Sequence, residues 1–244
     1  MNNLQLLKLM IISMLFLSQV ACAISTDDNG RMIEKNYTVA AFDAIDSEIV
    51  GNIEVVQTSE TTVAAAGDQR FVENLIVKVE DQKLKLSMKE NLKSFKLKGK
   101  TPKLTVYVST PELKLIESEG VGNIKLLGDI RIPVISIHSE GVGNISSENL
   151  DADHVKIDSR GVGNITLKGT TNELTIQSEG VGNVKTDKMS ARHARVKSEG
   201  IGNVSCHASE SVDIESGGIG NVSYYGNPEA KSIHKEGVGG VSAK

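Results

Sequence analysis

Apolar and polar residues alternate in short runs that recur with a period of about 20 residues over the second half of the chain. Each run leads into a seven-residue motif, first written S-E-G-V-G-N-I, whose copies begin at Ser118, Ser139, Ser159, Ser178, Ser198, Ser216 and Lys235. The starting positions of successive copies differ by 21, 20, 19, 20, 18 and 19. A period this constant is typical of a repeat architecture. A less regular copy, SEIVGNI, begins at Ser47.

The residues just before each motif predict a β-strand with one buried face. Two residues before the motif, every copy has a β-branched residue: Ile116, Ile137, Ile157, Ile176, Val196, Ile214 and Ile233. Four residues before it, the five inner copies have Ile135, Val155, Leu174, Ala194 and Val212. The positions between them are mostly polar. This period of two is the pattern of a half-buried strand, and the Ser of the motif continues its inward side.

The motif itself predicts a corner. We number its positions 1 to 7, so that Gly stands at positions 3 and 5 and Asn at position 6; these residues tolerate positive φ or close backbone contact. Position 4 is always Val or Ile, and position 7 is also apolar. Two apolar columns three residues apart cannot both face inward along one straight strand. We therefore expect the chain to bend at the Gly-Asn pair, which brings both columns to the core.

These patterns predict an all-β fold, a right-handed parallel β-helix (β-solenoid) with coils of about 20 residues. Stacked coils would lie about 4.8 Å apart, with identical residues above one another and the Asn amides bonded along the axis. Leucine-rich repeats need a different leucine pattern, calcium-binding solenoids have a period of nine, and propeller blades need about 40 residues.

The pattern divides the chain into three parts. Residues 24–112 contain short strand-like runs without the repeat, and we interpret them as an irregular N-terminal β cap that protects the first coil from edge pairing. Turn-like breaks at Gly67-Asp68 and at Glu80-Asp81-Gln82 predict hairpins there. Residues 113–244 are predicted to form the β-helix, and 24–244 are expected to be one continuous domain.

Residues 1–23 have the pattern of a secretory signal peptide: Lys8, an apolar stretch from Leu9 to Val20, and Ala21-Cys22-Ala23 as an A-x-A cleavage site. Lipoprotein processing at Cys22 is the alternative, and soluble export is favoured by the A-x-A match. After cleavage only Cys206 remains, which excludes an internal disulfide. No later apolar segment is long enough to predict a transmembrane helix.

Three stretches together resemble the head GIN domain family, described as auto-transporter adhesin heads of exported bacterial proteins. They are F-x-x-I-x-x-x-x-V-G-N-I from Phe42 to Ile53, the strand KLTVYVSTPEL with Pro111, and the repeated S-x-G-x-G-N-I. The resemblance covers the chain from about Tyr37 to its end. It implies a β-helical fold and an envelope or extracellular location, and it brings no catalytic motif.

Motif position 2 gives a candidate ligand-contact stripe of Glu119, Glu140, Arg160, Glu179 and Glu199, to which we add the aromatic Tyr225. By strand parity these charges point outward and could bind cations or polycations. The simpler interpretation is a solvated face on which Arg160 reduces the repulsion between the glutamates. A second charged run, Lys89, Lys93, Lys96, Lys98, Lys100 and Lys103, could contact anionic lipid or polysaccharide, or guard a strand edge with lysine.

No cofactor, metal or catalytic residue is predicted. His138 and His234 occupy equivalent places but would lie several coils apart, too far to share a metal. His193 and His207, in adjacent coils beside Cys206, provide too few ligands, and Cys206 fits a small core residue. A net charge of −4 and the absence of Trp argue against nucleic acid as a partner.

The sequence favours a non-catalytic binding or adhesion module of the cell envelope, in the periplasm, at the outer membrane or outside the cell. Its expected partner is a surface ligand, which could be a polysaccharide, a glycolipid or a protein, and homo-oligomers are left open. A structural or assembly protein of the envelope is the first alternative. A carbohydrate-active enzyme is the second, supported only by analogy with enzymes on β-helical folds.

Overall fold

The structure, a computed structural model, describes residues 31–89 and 103–244. The signal peptide, Cys22 and four lysines of the basic run (Lys93, Lys96, Lys98 and Lys100) lie outside the described residues. The strands before the regular repeat are β1 Met32–Tyr37, β2 Ala44–Ser47, β3 Asn52–Gln57, β4 Thr62–Asp68, β5 Leu75–Glu80, β6 Lys83–Met88, β7 Leu104–Thr110 and β8 Leu115–Ser118. The strands of the repeat are β9 Ile124–Ser139, β10 Ile145–Ser159, β11 Ile165–Ser178, β12 Val184–Ser198, β13 Val204–Ser216, β14 Val222–Tyr225, β15 Ala230–Lys235 and β16 Val241–Ala243. The short helix α1 is Gln69–Asn74.

The coils stack in parallel, which confirms the predicted β-solenoid. Each of the strands β9 to β13 runs from position 7 of one motif to position 1 of the next, and pairs with the same stretch of the neighbouring coil. The register keeps equivalent residues opposite one another, as in Ile157↔Ile176 and Ser159↔Ser178. Coil lengths differ slightly, and the difference is absorbed at irregular pairings such as the one between Ser147 and Leu150.

The core consists of the inward columns that the strand pattern predicts. The column two residues before the motif is at most 1% exposed from Ile116 to Ile214, and the five inner apolar residues four before it are also buried. Ile233, the last member of the first column, departs from this pattern and is 46% exposed. It lies on β15, which pairs only with β13, so no further described coil covers its other edge and its side chain meets solvent.

The less regular copy at Ser47 forms a coil inside the stack. Strand β2 pairs in parallel with β6 on one side and β8 on the other. Strand β3 pairs in the same way with β7 and β9. The chain thus forms one coil with β2 and β3, leaves it to form β6 and β7 beneath, and returns above it with β8 and β9. Order along the chain and order in the stack differ here.

Antiparallel strands close the N-terminal end. Strand β4 pairs with β7, β1 pairs with β4, and β5 pairs with β6. The predicted hairpin at Glu80-Asp81-Gln82 is confirmed, with Asp81 and Gln82 at φ 51° and 60°. The one predicted at Gly67-Asp68 is wrong, because α1 follows β4 directly and buries Val72.

Candidate functional site

The S-E-G-V-G-N corner presents a continuous row of apolar side chains to solvent. We call it the valine row: Val50, Val121, Val142, Val162, Val181, Ile201, Ile219 and Val238. Each residue pairs in parallel with the next, and each side chain is between 39% and 71% exposed. The expectation that this column faces the core is therefore wrong. Strand alternation continues through position 4, and the chain changes direction only after it, where Gly at position 5 takes φ between 139° and 152°.

Glycine is required on both sides of the valine row because neighbouring coils touch there through their backbones. A Cβ placed on Gly163 would lie 1.8 Å from the carbonyl oxygen of Gly143, and one on Gly161 would lie 2.2 Å from that of Gly141. The same contact recurs up the stack. The apolar side chains therefore stand as a ridge between two rows that have no side chains.

Beyond the second glycine, the asparagines form the predicted ladder. The side-chain amide and the backbone N–H of Asn183 both donate to Oδ1 of Asn164, at 2.9 and 3.1 Å, and Asn183 in turn accepts both from Asn203. The ladder extends from Asn52 to Asn221, and the backbone N–H of Gly240 donates to its last oxygen. Each amide from Asn123 to Asn221 uses one of its two N–H groups in the ladder, so the other can donate elsewhere.

On the other side of the valine row lies the charged row at motif position 2. Glu119, Glu140, Arg160, Glu179 and Glu199 are all exposed, as their parity predicts. The pKa of Glu119 is raised, first by partial desolvation and then by neighbouring carboxylates. Further up the row the negative charge is compensated: Arg160 lies 3.5 Å from each neighbouring glutamate, and Lys197 lies 3.0 Å from Glu199.

Tyr225, the aromatic member of the candidate set, lies away from the charged row. It ends β14, three residues past the buried Val222, and pairs with His207 of the preceding coil. The structure thus brings the five charged residues into one row and leaves Tyr225 on the adjoining side of the coil. Sequence reasoning missed the valine row between the charges and the asparagines as a surface feature. Its signal was a β-branched residue held between two glycines in every regular copy.

Arg160 also reaches a buried carboxylate. Its guanidinium lies 2.9 Å from Oδ2 of Asp158, whose side chain is only 10% exposed. The other oxygen, Oδ1, has no hydrogen-bond partner, and the His138 ring lies 3.6 Å from Oδ2. Asp158 therefore depends on Arg160 for its compensating charge.

We predict that Arg160→Ala lowers the free energy of unfolding by about 1–3 kcal/mol, because a buried carboxylate loses its charged partner. The matched control is Arg192→Ala, which removes an exposed pair with Glu210 and should cost clearly less than Arg160→Ala. Urea titrations of both variants measure the difference. Equal costs would contradict the role given to Asp158.

Among the described residues, the histidines and Cys206 do not come together as a metal site. His193 bonds to Ser211 at 2.8 Å, whereas His207 pairs with Tyr225, so the two rings belong to different columns. Cys206 is buried in the core as expected, and burial raises the pKa of its thiol to about 12. In residues 31–89 and 103–244, no three His, Cys, Asp or Glu side chains are grouped so as to hold a metal ion. The same residues include no helix of sufficient length and hydropathy to span a membrane.

Comparison with known proteins agrees with this architecture. The sequence model of the family described as “Putative auto-transporter adhesin, head GIN domain” matches residues 41–228. A solved structure described as a “putative adhesin” from Bacteroides fragilis is 31% identical, with a TM-score of 0.82, and the match covers 88% of this chain and 97% of that one. The comparison with curated proteins found no match.

Two more distant structures share the fold alone. A “putative lipid binding protein” from Parabacteroides distasonis is 21% identical, with a TM-score of 0.61, over 87% of this chain and 97% of that one. A “putative adhesin” from Parabacteroides merdae is 17% identical, with a TM-score of 0.58, over 88% of this chain and 97% of that one.

Proposed function

Since this chain belongs to the head GIN domain family of adhesin-like proteins, we propose that it is an exported, non-catalytic binding module of the cell envelope. We further propose that it binds through the corner face. We define this face as the charged row, the valine row and the asparagine ladder, which run side by side along the solenoid.

The single observation that carries this proposal is the exposure of the valine row. Eight apolar side chains, most of them about half exposed, follow one another from coil to coil without interruption. Scattered surface valines are ordinary, but contiguous apolar patches of a few hundred Å² on soluble proteins are often functional. Any β-branched polar residue such as Thr would fit the same exposed strand position, so the fold alone does not require Val or Ile there.

The chemistry of the face suits contact better than catalysis. It consists of apolar side chains, amides and carboxylates, several of which are paired with Arg160 or Lys197. An acid–base pair needs groups with separated pKa values placed around a reacting bond. The corner instead repeats the same groups at each coil, which supports recognition of an extended or periodic surface.

The test is a binding screen of the purified protein against polysaccharides, glycolipids and matrix proteins. We expect a saturable ligand whose affinity falls at least about tenfold in the triple variant Val142→Thr, Val162→Thr and Val181→Thr, since Thr keeps the branched shape and removes apolar contact. The control is Val134→Thr, because Val134 is also exposed, at 42%, but lies outside the row.

Charge reversal distinguishes the contribution of the charged row from that of the valine row. Glu140→Lys and Glu179→Lys alter the charged row and leave the valine row intact. A ligand that loses affinity in these variants but not in the triple variant would place binding in the charges alone. A ligand equally affected by Val134→Thr would count against the corner face altogether.

A further inference from the structure

The valine row repeats at a spacing that constrains what can cover it. Adjacent side chains are one coil apart, about 4.8 Å, so eight of them form a ridge about 34 Å long. The position before the ridge faces inward, as the buried Ile49 shows in the first copy, and the position after it lies at the bend, so neither glycine row places a side chain beside the ridge. A ridge of evenly spaced side chains packs best against a surface of the same spacing, in the way that identical side chains interdigitate between stacked sheets. A second copy of this chain has that spacing.

We propose that the corner face binds a second copy of the same protein. This inference rests on the proposed function, because it names the partner of the same face. The two copies would lie side by side, with the valine row of each packed against the valine row of the other.

The charged row and the asparagine ladder, which flank the valine row, favour one arrangement of the two copies. A two-fold axis parallel to the solenoid places each coil opposite the same coil of the second copy, with the charged row of one facing the asparagine ladder of the other. Every ladder amide has one N–H left to donate, and a glutamate carboxylate is acceptor-only. A two-fold axis across the solenoid would instead place glutamates opposite glutamates along most of the row, which is unfavourable. The parallel arrangement is therefore the complementary one.

The area of the corner face limits how strongly two copies are expected to bind each other. Along the chain, motif positions 2 to 6 span about 13 Å, and because the corner bends within this length the face covers at most about 440 Å² on each copy. The total, at most about 900 Å², lies below the range of stable interfaces, so we expect a weak, reversible dimer. Sedimentation velocity from low to high micromolar protein should show the transition. The triple Val→Thr variant should weaken it at least about tenfold, and Val134→Thr should not.

Cross-linking identifies the arrangement. In the parallel dimer each coil meets its own counterpart, so Val121→Cys, Val162→Cys and Val238→Cys should each give a covalent dimer with a short bis-maleimide. Native Cys206 is fully buried and does not compete. Val134→Cys is the control, and it also reports any cross-link through Cys22 when that residue is retained.

Each outcome decides the proposal. Cross-links only from Val162→Cys, near the middle of the row, would indicate the antiparallel arrangement and overturn the one proposed. A protein that stays monomeric throughout would overturn the second copy as partner. If a ligand screen with that monomer still gave a hit sensitive to the valine substitutions, the proposed function would stand with an external partner. A dimer that the triple variant dissolves, with no external ligand found, would support this inference and count against an external ligand.

Discussion

Replacing Gly163 by Ala is expected to lower the free energy of unfolding by about 3–5 kcal/mol, or to prevent folding. Its φ is +151°, and an added Cβ would lie 1.8 Å from the backbone oxygen of Gly143. Rotation of a side chain cannot relieve this overlap, because both groups are fixed by the backbone. Relief requires the coils to separate, which would break the adjacent bond from Val162 N–H to the Gly141 carbonyl, 2.9 Å long.

The control for this prediction is Gly217→Ala. Gly217 stands at motif position 2, where most copies have glutamate, and the nearest atom to an added Cβ is 3.9 Å away. The alanine should be neutral or stabilise by up to about 1 kcal/mol through the unfolded state. Chemical unfolding followed by circular dichroism measures both variants. A Gly163→Ala protein as stable as the Gly217→Ala protein would show that the coils can move apart at little cost.

Replacing Asn183 by Ala is expected to cost about 2–4 kcal/mol, the second largest effect. The change removes the acceptor for two donors of Asn203, its backbone N–H at 3.0 Å and its side-chain amide at 3.2 Å. It also removes the amide that donates to Asn164. Three hydrogen bonds are thus lost at once, and at about 0.5–1.5 kcal/mol each they account for the expected cost.

Two variants test whether the acceptor is the important part. At a pH low enough to protonate the new carboxyl group, Asn183→Asp keeps an oxygen for the Asn203 donors and a proton to donate to Oδ1 of Asn164, so it should cost less than Asn183→Ala. Asn149→Ala removes an exposed amide bonded to Asp129 at 2.8 Å and should cost under about 1 kcal/mol. Thermal and urea unfolding of the three proteins gives the comparison. If Asn183→Ala were no worse than Asn149→Ala, the ladder would be a consequence of stacking and no source of stability.

Much of the solenoid could be predicted because the same pattern of residue types recurs in every regular copy of the repeat. The inward columns that begin at Ile116 and Ile135, the corner and the asparagine ladder all follow from residue types recurring at one period. The outward position of Val121 and its equivalents could not be read in the same way. Hydrophobicity suggested burial, whereas strand alternation continues through motif position 4 and turns these side chains to solvent; only the structure places the bend at the glycine that follows them.

The N-terminal part was harder because its pairing partners are distant in sequence. Ile45 pairs with Leu84 on one side and Ile116 on the other, and no local pattern encodes that choice. SEIVGNI resembled the regular motif, but Ile49 replaces the first glycine and is buried. This coil lies inside the stack because the chain crosses from one side of β2 and β3, where it forms β6 and β7, to the other, where it forms β8 and β9. The period of the repeat does not indicate that crossing.

That crossing has a consequence for how the protein is made. A chain leaves the ribosome from its N-terminus, and its parts fold as they emerge. Strands β2 and β3 emerge early, yet both of their neighbours come later: β6 and β7 on one side, β8 and β9 on the other. Asn52, the first residue of β3, contacts Asn123 across a sequence separation of 71 residues, and such distant contacts slow folding. Until β9 has been synthesised, one edge of β3 stays open. Each regular coil beyond it needs only the coil made just before. We therefore expect the N-terminal coils to fold slowly and the regular coils to add quickly, one after another.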